Sequence, residues 1–178
     1  MKQSIDAFEY AGTICAAMKK GILITAQLDG KVNPMTIGWG HIGIDWSRPI
    51  FIAYVRESRY TRELLDQTGE FTVNIPLEQI DPEILRICGT KSGRDVDKIA
   101  LTGLTVVPSE KIGAPGLKEL PLTLECKVLY RQLQDLNSIP ENILSRYYPQ
   151  NVESTFSGSN RDAHYMYFAE ILDAYIIR

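Results

Sequence analysis

Five polar or basic residues lie together where a predicted strand gives way to a predicted helix. They are Arg56, Ser58, Arg59, Tyr60 and Thr61. A phosphate dianion is bound best by charge-assisted donors and by the free amides at the start of a helix. We therefore predict an anion site here, with Ser58 and Thr61 as preferred donors and Arg56 or Arg59 as the charge. The alternative is a solvated basic turn in which Ser58 is the N-cap.

The segment 33–39, Asn-Pro-Met-Thr-Ile-Gly-Trp, carries groups suited to a flat ring. Thr36 offers a hydroxyl, Gly38 lets backbone amides come close, and Pro34 interrupts strand pairing where a ligand can bond to the backbone. Trp39 can border the ring. The alternative is an ordinary strand with a bulge at Asn33-Pro34. The residues predicted to hold the ring are Met35, Thr36, Ile37, Gly38 and Trp39.

Three further residues invite a functional interpretation. His164 opens the last predicted strand and is either an exposed residue or, in a dimer, a group that reaches the partner's ligand and tunes proton delivery. Asn74 is expected to satisfy backbone groups at a strand end rather than to bind a ligand. Cys88 is a lone cysteine, a type more often buried than reactive, and we assign it no catalytic role.

Composition and motifs exclude several classes of protein. A net charge of −3 over 178 residues gives no basic face for nucleic acid. No signal peptide or membrane-spanning run is evident. The three cysteines are widely spaced and the two histidines are isolated, which argues against disulfides and a metal centre. We therefore expect a cytoplasmic protein. The chain has no G-x-G-x-x-G motif placed after a predicted strand, as a dinucleotide site requires, and no G-x-S-x-G motif for a hydrolase.

Periodicity and turn signals predict many strands with a few short helices. The predicted helices cover Ser4 to about Lys19, Thr61 to Gln67 and Pro82 to Cys88. The predicted strands cover 21–28, Lys31 to about Ile44, 50–55, 71–75, Leu122–Leu133 and Tyr165–Ile177. A turn or mobile loop is predicted at 157–160. Because βαβ alternation is missing, we expect an α+β domain, mainly antiparallel β, that occupies residues 1–178 as one unit.

Four segments, in this order and spacing, resemble the flavin reductase-like, FMN-binding split-barrel family, and more closely its flavoredoxin-like branch. They are Asn33-Pro34-Met35-Thr36-Ile37-Gly38-Trp39, Arg56-Glu57-Ser58-Arg59-Tyr60-Thr61, Gly69-Glu70-Phe71-Thr72-Val73-Asn74-Ile75-Pro76 and Ser92-Gly93-Arg94-Asp95-Val96-Asp97-Lys98. The stretch from His164 to Leu172 is similar to the closing strand of that family. The resemblance implies a split β-barrel with short flanking helices that forms a homodimer with FMN near the subunit interface.

The resemblance also assigns a role to the polar loop 92–98. In the family this loop lies by the flavin, so Lys98 and Arg94 are expected at the polar edge of the cofactor. The alternative is that these two bases pair with Asp95 and Asp97 on the surface. The implied function is an FMN-dependent oxidoreductase that receives electrons from NAD(P)H or a redox protein. A flavoredoxin-type electron carrier without NAD(P)H turnover is the main alternative, and a barrel that has lost its ligand is the third.

Overall fold

Strands dominate the structure, a computed structural model that describes residues 1–153 and 160–178. The strands are β1 (Lys2–Ser4), β2 (Ile22–Leu28), β3 (Lys31–Ile37), β4 (Gly40–Asp45), β5 (Arg48–Arg56), β6 (Glu70–Ile75), β7 (Val106–Val107), β8 (Gly116–Leu117), β9 (Leu122–Leu133) and β10 (His164–Ile177). The helices are α1 (Ala11–Met18), α2 (Tyr60–Thr68), α3 (Pro82–Thr90), α4 (Lys98–Thr102) and α5 (Glu141–Tyr147). The predicted α+β class, mainly antiparallel, is confirmed. Of the turn predicted at 157–160, only Asn160 is among the described residues.

One antiparallel sheet holds eight of the strands. Its order is β3-β2-β6-β9-β10-β5-β4, and β1 pairs with the far end of β10. Phe51 on β5 and Phe71 on β6 are both fully buried, and their rings lie 6.5 Å apart although two other strands separate β5 from β6 in the sheet. The sheet therefore curls around a common apolar core, as expected for a barrel.

The predicted helix from Ser4 to Lys19 is wrong in its first half. Lys2 to Ser4 form β1, and the Ile5 amide donates to the Ala174 carbonyl over 3.0 Å, so helix α1 begins only at Ala11. The apolar spacing was correct for α1, but the backbone groups at the end of β10 offered the preceding residues a strand partner. Such long-range pairing cannot be seen in local periodicity.

The strand predicted from Lys31 to Ile44 is in fact two strands. Strand β3 ends at Ile37, where its pairing with β2 stops. The chain then passes through Gly38 and Trp39 and begins β4 at Gly40, which pairs with β5. A Cβ atom at Gly40 would lie 3.0 Å from the Phe51 ring, so glycine favours this close approach of the two strands. Trp39 is thereby placed at the crossover between the two edges of the sheet.

Other local predictions agree closely with the structure. Strand β9 has the predicted bounds, and Gly69 ends α2 with φ of 64°. The buried Asn74 side chain donates to Thr25 Oγ1 and accepts from the Leu117 amide, so it serves the structure as expected. Helix α4 was missed because it is a single turn capped by Asp97, whose carboxylate accepts from the Ala100 amide.

Candidate functional site

Two adjacent cavities contain the predicted site residues. The central cavity, about 180 Å³, is lined by Met35, Thr36, Ile37, Gly38, Trp39, Tyr54, Arg56, Arg59, Asn160 and His164. The loop cavity, about 110 Å³, is lined by Met35, Ser58, Arg59, Tyr60, Thr61, Cys88, Thr90, Lys91, Ser92, Gly93, Arg94 and Lys98. Met35 and Arg59 line both, so the two cavities adjoin. All thirteen residues proposed from the sequence line one or both cavities.

Lys98 lies at the floor of the loop cavity with only 4% of its surface exposed. Its ammonium group donates to the carbonyls of Pro34 and Cys88, each over 2.9 Å. An ammonium group has three N–H donors, so one remains for a ligand. Burial lowers the pKa of Lys98 to about 8. The alternative of a surface pair with an acid of its own loop is therefore wrong for Lys98.

Arg94 closes the outer side of the loop cavity. Its guanidinium donates to Glu63 over 2.6 Å and to the Ser58 carbonyl over 3.3 Å, and it lies 5.3 Å from the centre of the Tyr60 ring. These contacts fasten the loop 91–97 to the beginning of α2. Arg94 thus pairs with an acid from α2 rather than with Asp95 or Asp97.

The strand-to-helix turn differs in detail from its predicted geometry. The N-cap of α2 is Arg59, not Ser58. The Ser58 hydroxyl and amide both donate to the Asp162 carboxylate, over 2.8 and 3.0 Å. Thr61 is buried, and its hydroxyl oxygen accepts from the Asn33 amide over 2.8 Å. Of the two hydroxyls predicted as preferred phosphate donors, that of Ser58 is therefore already bonded to the carboxylate of Asp162.

Arg56 and Arg59 have separate positions. Arg59 lines both cavities and donates to the Gly89 carbonyl over 3.1 Å. Arg56 lines only the central cavity and donates to the carbonyls of Tyr147, Asn160 and Asp162 over 2.6 to 2.9 Å. Arg56 therefore holds backbone in place beside the central cavity, and Arg59 is the cation from this turn that faces the loop cavity.

The end of β3 and the crossover after it form one wall of the central cavity. The β2–β3 register runs unshifted through Pro34, so the alternative of a bulge at Asn33-Pro34 is wrong. β3 is an edge strand, where proline is tolerated, and the Pro34 carbonyl accepts from Lys98. The Thr36 hydroxyl donates to the Leu85 carbonyl over 2.6 Å, so the position of Thr36 is fixed by α3.

His164 also lines the central cavity, among aromatic rings. Its ring centre is 4.8 Å from that of Trp39 and 6.2 Å from that of Tyr54. Its Nδ1 is 2.9 Å from the Tyr148 hydroxyl, which donates in turn to Gln134. Burial, followed by repulsion from Arg56, lowers the pKa of His164 to about 3, so the imidazole is neutral at pH 7. The alternative of an exposed histidine is wrong.

Two residues of the central cavity had no signal in the sequence. Tyr54 lies in the middle of an apolar strand and is typical of a core position, yet its ring borders the cavity. Asn160 follows a stretch of turn-forming residues, and its carbonyl is bonded by Arg56. Neither the residue type nor the spacing distinguishes these two from structural residues.

Comparison with known proteins identifies the family. Residues 18–176 match the model of the flavin reductase like domain. A protein of Archaeoglobus fulgidus without assigned function is 33% identical over 99 residues, which are 56% of this chain and 55% of that protein. The matched region thus spans about half the length of that relative.

Two solved structures show the same fold. Flavoredoxin from Methanosarcina acetivorans is 28% identical, with a TM-score of 0.64 over 89% of this chain and 68% of that chain. The FMN-binding domain of a flavin reductases-like enzyme from Shewanella baltica is 18% identical, with a TM-score of 0.62 over 99% and 77% of the two chains. The predicted split-barrel fold is confirmed. In the part of the chain that the structure describes, no helix is long and apolar enough to cross a membrane.

Proposed function

This chain belongs to the flavin reductase like domain family, and we propose that it binds FMN and acts as an FMN-dependent oxidoreductase, receiving electrons from NAD(P)H or a redox protein. The observation that carries the proposal is the junction, through Met35 and Arg59, of a cavity rich in cationic side chains and a cavity with aromatic and apolar residues in its wall. An FMN molecule has the same two parts, a dianionic phosphate and a flat ring. The domain match and the single eight-stranded sheet also support one domain over residues 1–178.

The donors of the loop cavity suit a phosphate group. Lys98, Arg59 and Arg94 bring three cationic side chains to its wall, and Thr90 and Ser92 add hydroxyls. Charge-assisted hydrogen bonds from such groups are about twice as strong as neutral ones. A side chain at Gly93 would collide with the cavity wall, so the cradle requires a residue without Cβ. These features fit a phosphate rather than a neutral ligand.

The central cavity suits the ring. Met35, Ile37 and Trp39 provide apolar and aromatic surface, and the backbone at Gly38 is open to a ligand. His164, whose imidazole is neutral at pH 7, adds a polar group to this wall. When bound, FMN supplies the redox chemistry, and the protein contributes binding, orientation and electrostatics.

The size of the loop cavity favours FMN over FAD. The cavity has a volume of about 110 Å³, and Arg94, held against Tyr60 and Glu63, lies in its wall. A phosphate fits this space, whereas the adenylate part of FAD needs more room. We therefore propose FMN as the physiological cofactor.

The free cysteines of the described residues, Cys15, Cys88 and Cys126, are consistent with the reducing cytoplasm.

An electron carrier without NAD(P)H turnover is the second candidate. The 28% identity to an archaeal flavoredoxin favours it. A carrier and a reductase use the same flavin site and differ in whether a nicotinamide can dock over the ring. The two are separated by an experiment rather than by the shape of the cavity.

The absorption spectrum of the purified protein tests both parts of the proposal. We expect a yellow protein whose released flavin is FMN. Prompt anaerobic bleaching by NADH or NADPH indicates a reductase, and bleaching only by dithionite or a redox protein indicates a carrier. A colourless protein that shows neither an absorbance change nor a thermal shift on addition of FMN would refute the proposal.

We also propose a homodimer, formed through an aromatic surface made of Trp46, Tyr130 and Phe168. The Tyr130 and Phe168 rings lie 5.3 Å apart, and Trp46 is 6.4 and 6.3 Å from them. Trp46 is 53% exposed and has a positive φ of 49°, an unfavourable backbone conformation for such a large residue. Exposed aromatic clusters of this kind typically mark interfaces.

This surface and the central cavity share strand β10. His164 and Phe168 are four positions apart in that strand, so both project from the same face of β10. A partner seated on the aromatic surface would thus approach the predicted flavin. Sedimentation should give twice the mass of one chain, and Trp46→Lys should give a monomer. A wild-type mass equal to one chain would contradict the dimer.

A further inference from the structure

A second cavity lies on the other side of Trp39 and is not used by the proposed cofactor. This helix cavity, about 340 Å³, is bounded by Cys15 and Lys19 at the end of α1 and by His41 on β4. Gly38, Trp39 and Tyr54 line it too, and the same three residues line the central cavity. The two cavities are therefore neighbours that share one wall.

The size of the helix cavity limits what it can hold. Ligand sites in proteins typically have volumes of about 300 to 1,000 Å³, so this cavity lies at the small end of the range. A single aromatic ring with one substituent fits this volume. A dinucleotide would bring a pyrophosphate, and this cavity offers one cationic side chain where the loop cavity offers several.

The lining predicts the chemistry of the ligand. Trp39, Tyr54 and His41 present three aromatic rings, with the Tyr54 and His41 centres 5.5 Å apart and their side chains joined by a contact of 3.3 Å. Such rings favour a flat aromatic ligand. Lys19 is exposed at the rim, and among the described residues no acidic side chain forms a salt bridge with it or lines the cavity.

We propose that the helix cavity binds a planar aromatic monoanion, with its ring between the aromatic side chains and its carboxylate at Lys19. This inference rests on the proposed flavin site, because the shared wall places such a ligand one side chain away from the ring of FMN. The ligand class is thus small aromatic carboxylates.

Calorimetric titration of the FMN-loaded protein with benzoate and with benzamide tests the proposal. Benzoate should bind in the millimolar range and about fivefold more tightly than the uncharged benzamide. Lys19→Gln should abolish this preference. Cys15→Trp, which fills the cavity from an exposed helical position, should weaken both ligands by about tenfold or more. FMN affinity should stay unchanged in both variants.

Lys20→Gln is the matched control, since Lys20 is the next residue and lies outside the helix cavity. It should leave the preference for benzoate intact. The proposal is overturned if wild type fails to bind benzoate, if Lys19→Gln and Lys20→Gln behave alike, or if Cys15→Trp binds benzoate normally.

The test also separates this site from the flavin function. If the protein does not take up FMN, the same titration is followed by Trp39 fluorescence in Trp46→Phe, which leaves Trp39 as the single tryptophan. If benzoate then binds and Lys19→Gln weakens this binding, the helix cavity is supported even though the flavin function fails. If benzoate does not bind, the helix cavity is rejected independently of the flavin result.

Discussion

Replacing Gly93 by alanine should lower FMN affinity by about 100-fold. A Cβ atom at this position would lie 2.1 Å from Asn33 Oδ1 and 2.9 Å from the Tyr60 ring. Asn33 cannot move aside, because it is 1% exposed and its amide donates to Thr61 over 2.8 Å. The loop 91–97 must therefore shift outward and take Arg94 away from the phosphate. Quenching of FMN fluorescence on titration with protein measures the loss.

Gly12→Ala provides the control for this substitution. Gly12 lies in α1, and a Cβ atom there would have no neighbour within 4 Å, so FMN affinity should be unchanged. The double variant Asn33→Ala with Gly93→Ala removes the atom responsible for the closest collision and should recover part of the affinity. Wild-type affinity in Gly93→Ala would show that this loop does not form the phosphate site.

The sequence predicted those parts of the fold that local patterns determine. Strand β9 and the end of α2 at Gly69 were correct because an apolar run and a left-handed glycine act over a few residues. The start of α1 was wrong because it depends on β10, a strand distant in the chain, and the break between β3 and β4 was missed because the two strands pair with different partners, β2 and β5. Periodicity does not show which sheet edge is free to pair.

The site was predictable as segments but not as contacts. The donors of the turn after β5 and of the loop before α4 do line one cavity, as the family resemblance implied. The sequence could not show that Ser58 donates its hydrogen bonds to the Asp162 carboxylate, or that Arg56 binds backbone carbonyls. Both contacts join residues about a hundred positions apart. Chemical type predicts which residues can bind an anion, whereas folding determines which of them remain available.

His164 should make the protein sensitive to acid. Its ordinary pKa is about 6.5, and in the fold burial holds the pKa at about 3. Between these pH values the unfolded chain binds a proton that the folded chain does not. The free energy of unfolding should therefore fall as pH decreases from about 6.5, by about 1.4 kcal/mol per pH unit. The loss approaches about 4 kcal/mol near pH 3.5.

Urea unfolding of wild type and His164→Gln at neutral and acidic pH measures this contribution. Glutamine can still bond with the Tyr148 hydroxyl but does not titrate, so the stability curve of the variant should be flatter in acid by the amount given above. Carboxylates with a lowered pKa, such as Asp66, also lose stability in acid, but they do so in both proteins and cancel in the difference. His41→Gln, at an exposed histidine, should retain the full wild-type slope. Parallel curves for wild type and His164→Gln would mean that the imidazole becomes protonated without unfolding, and that the cavity around it admits water.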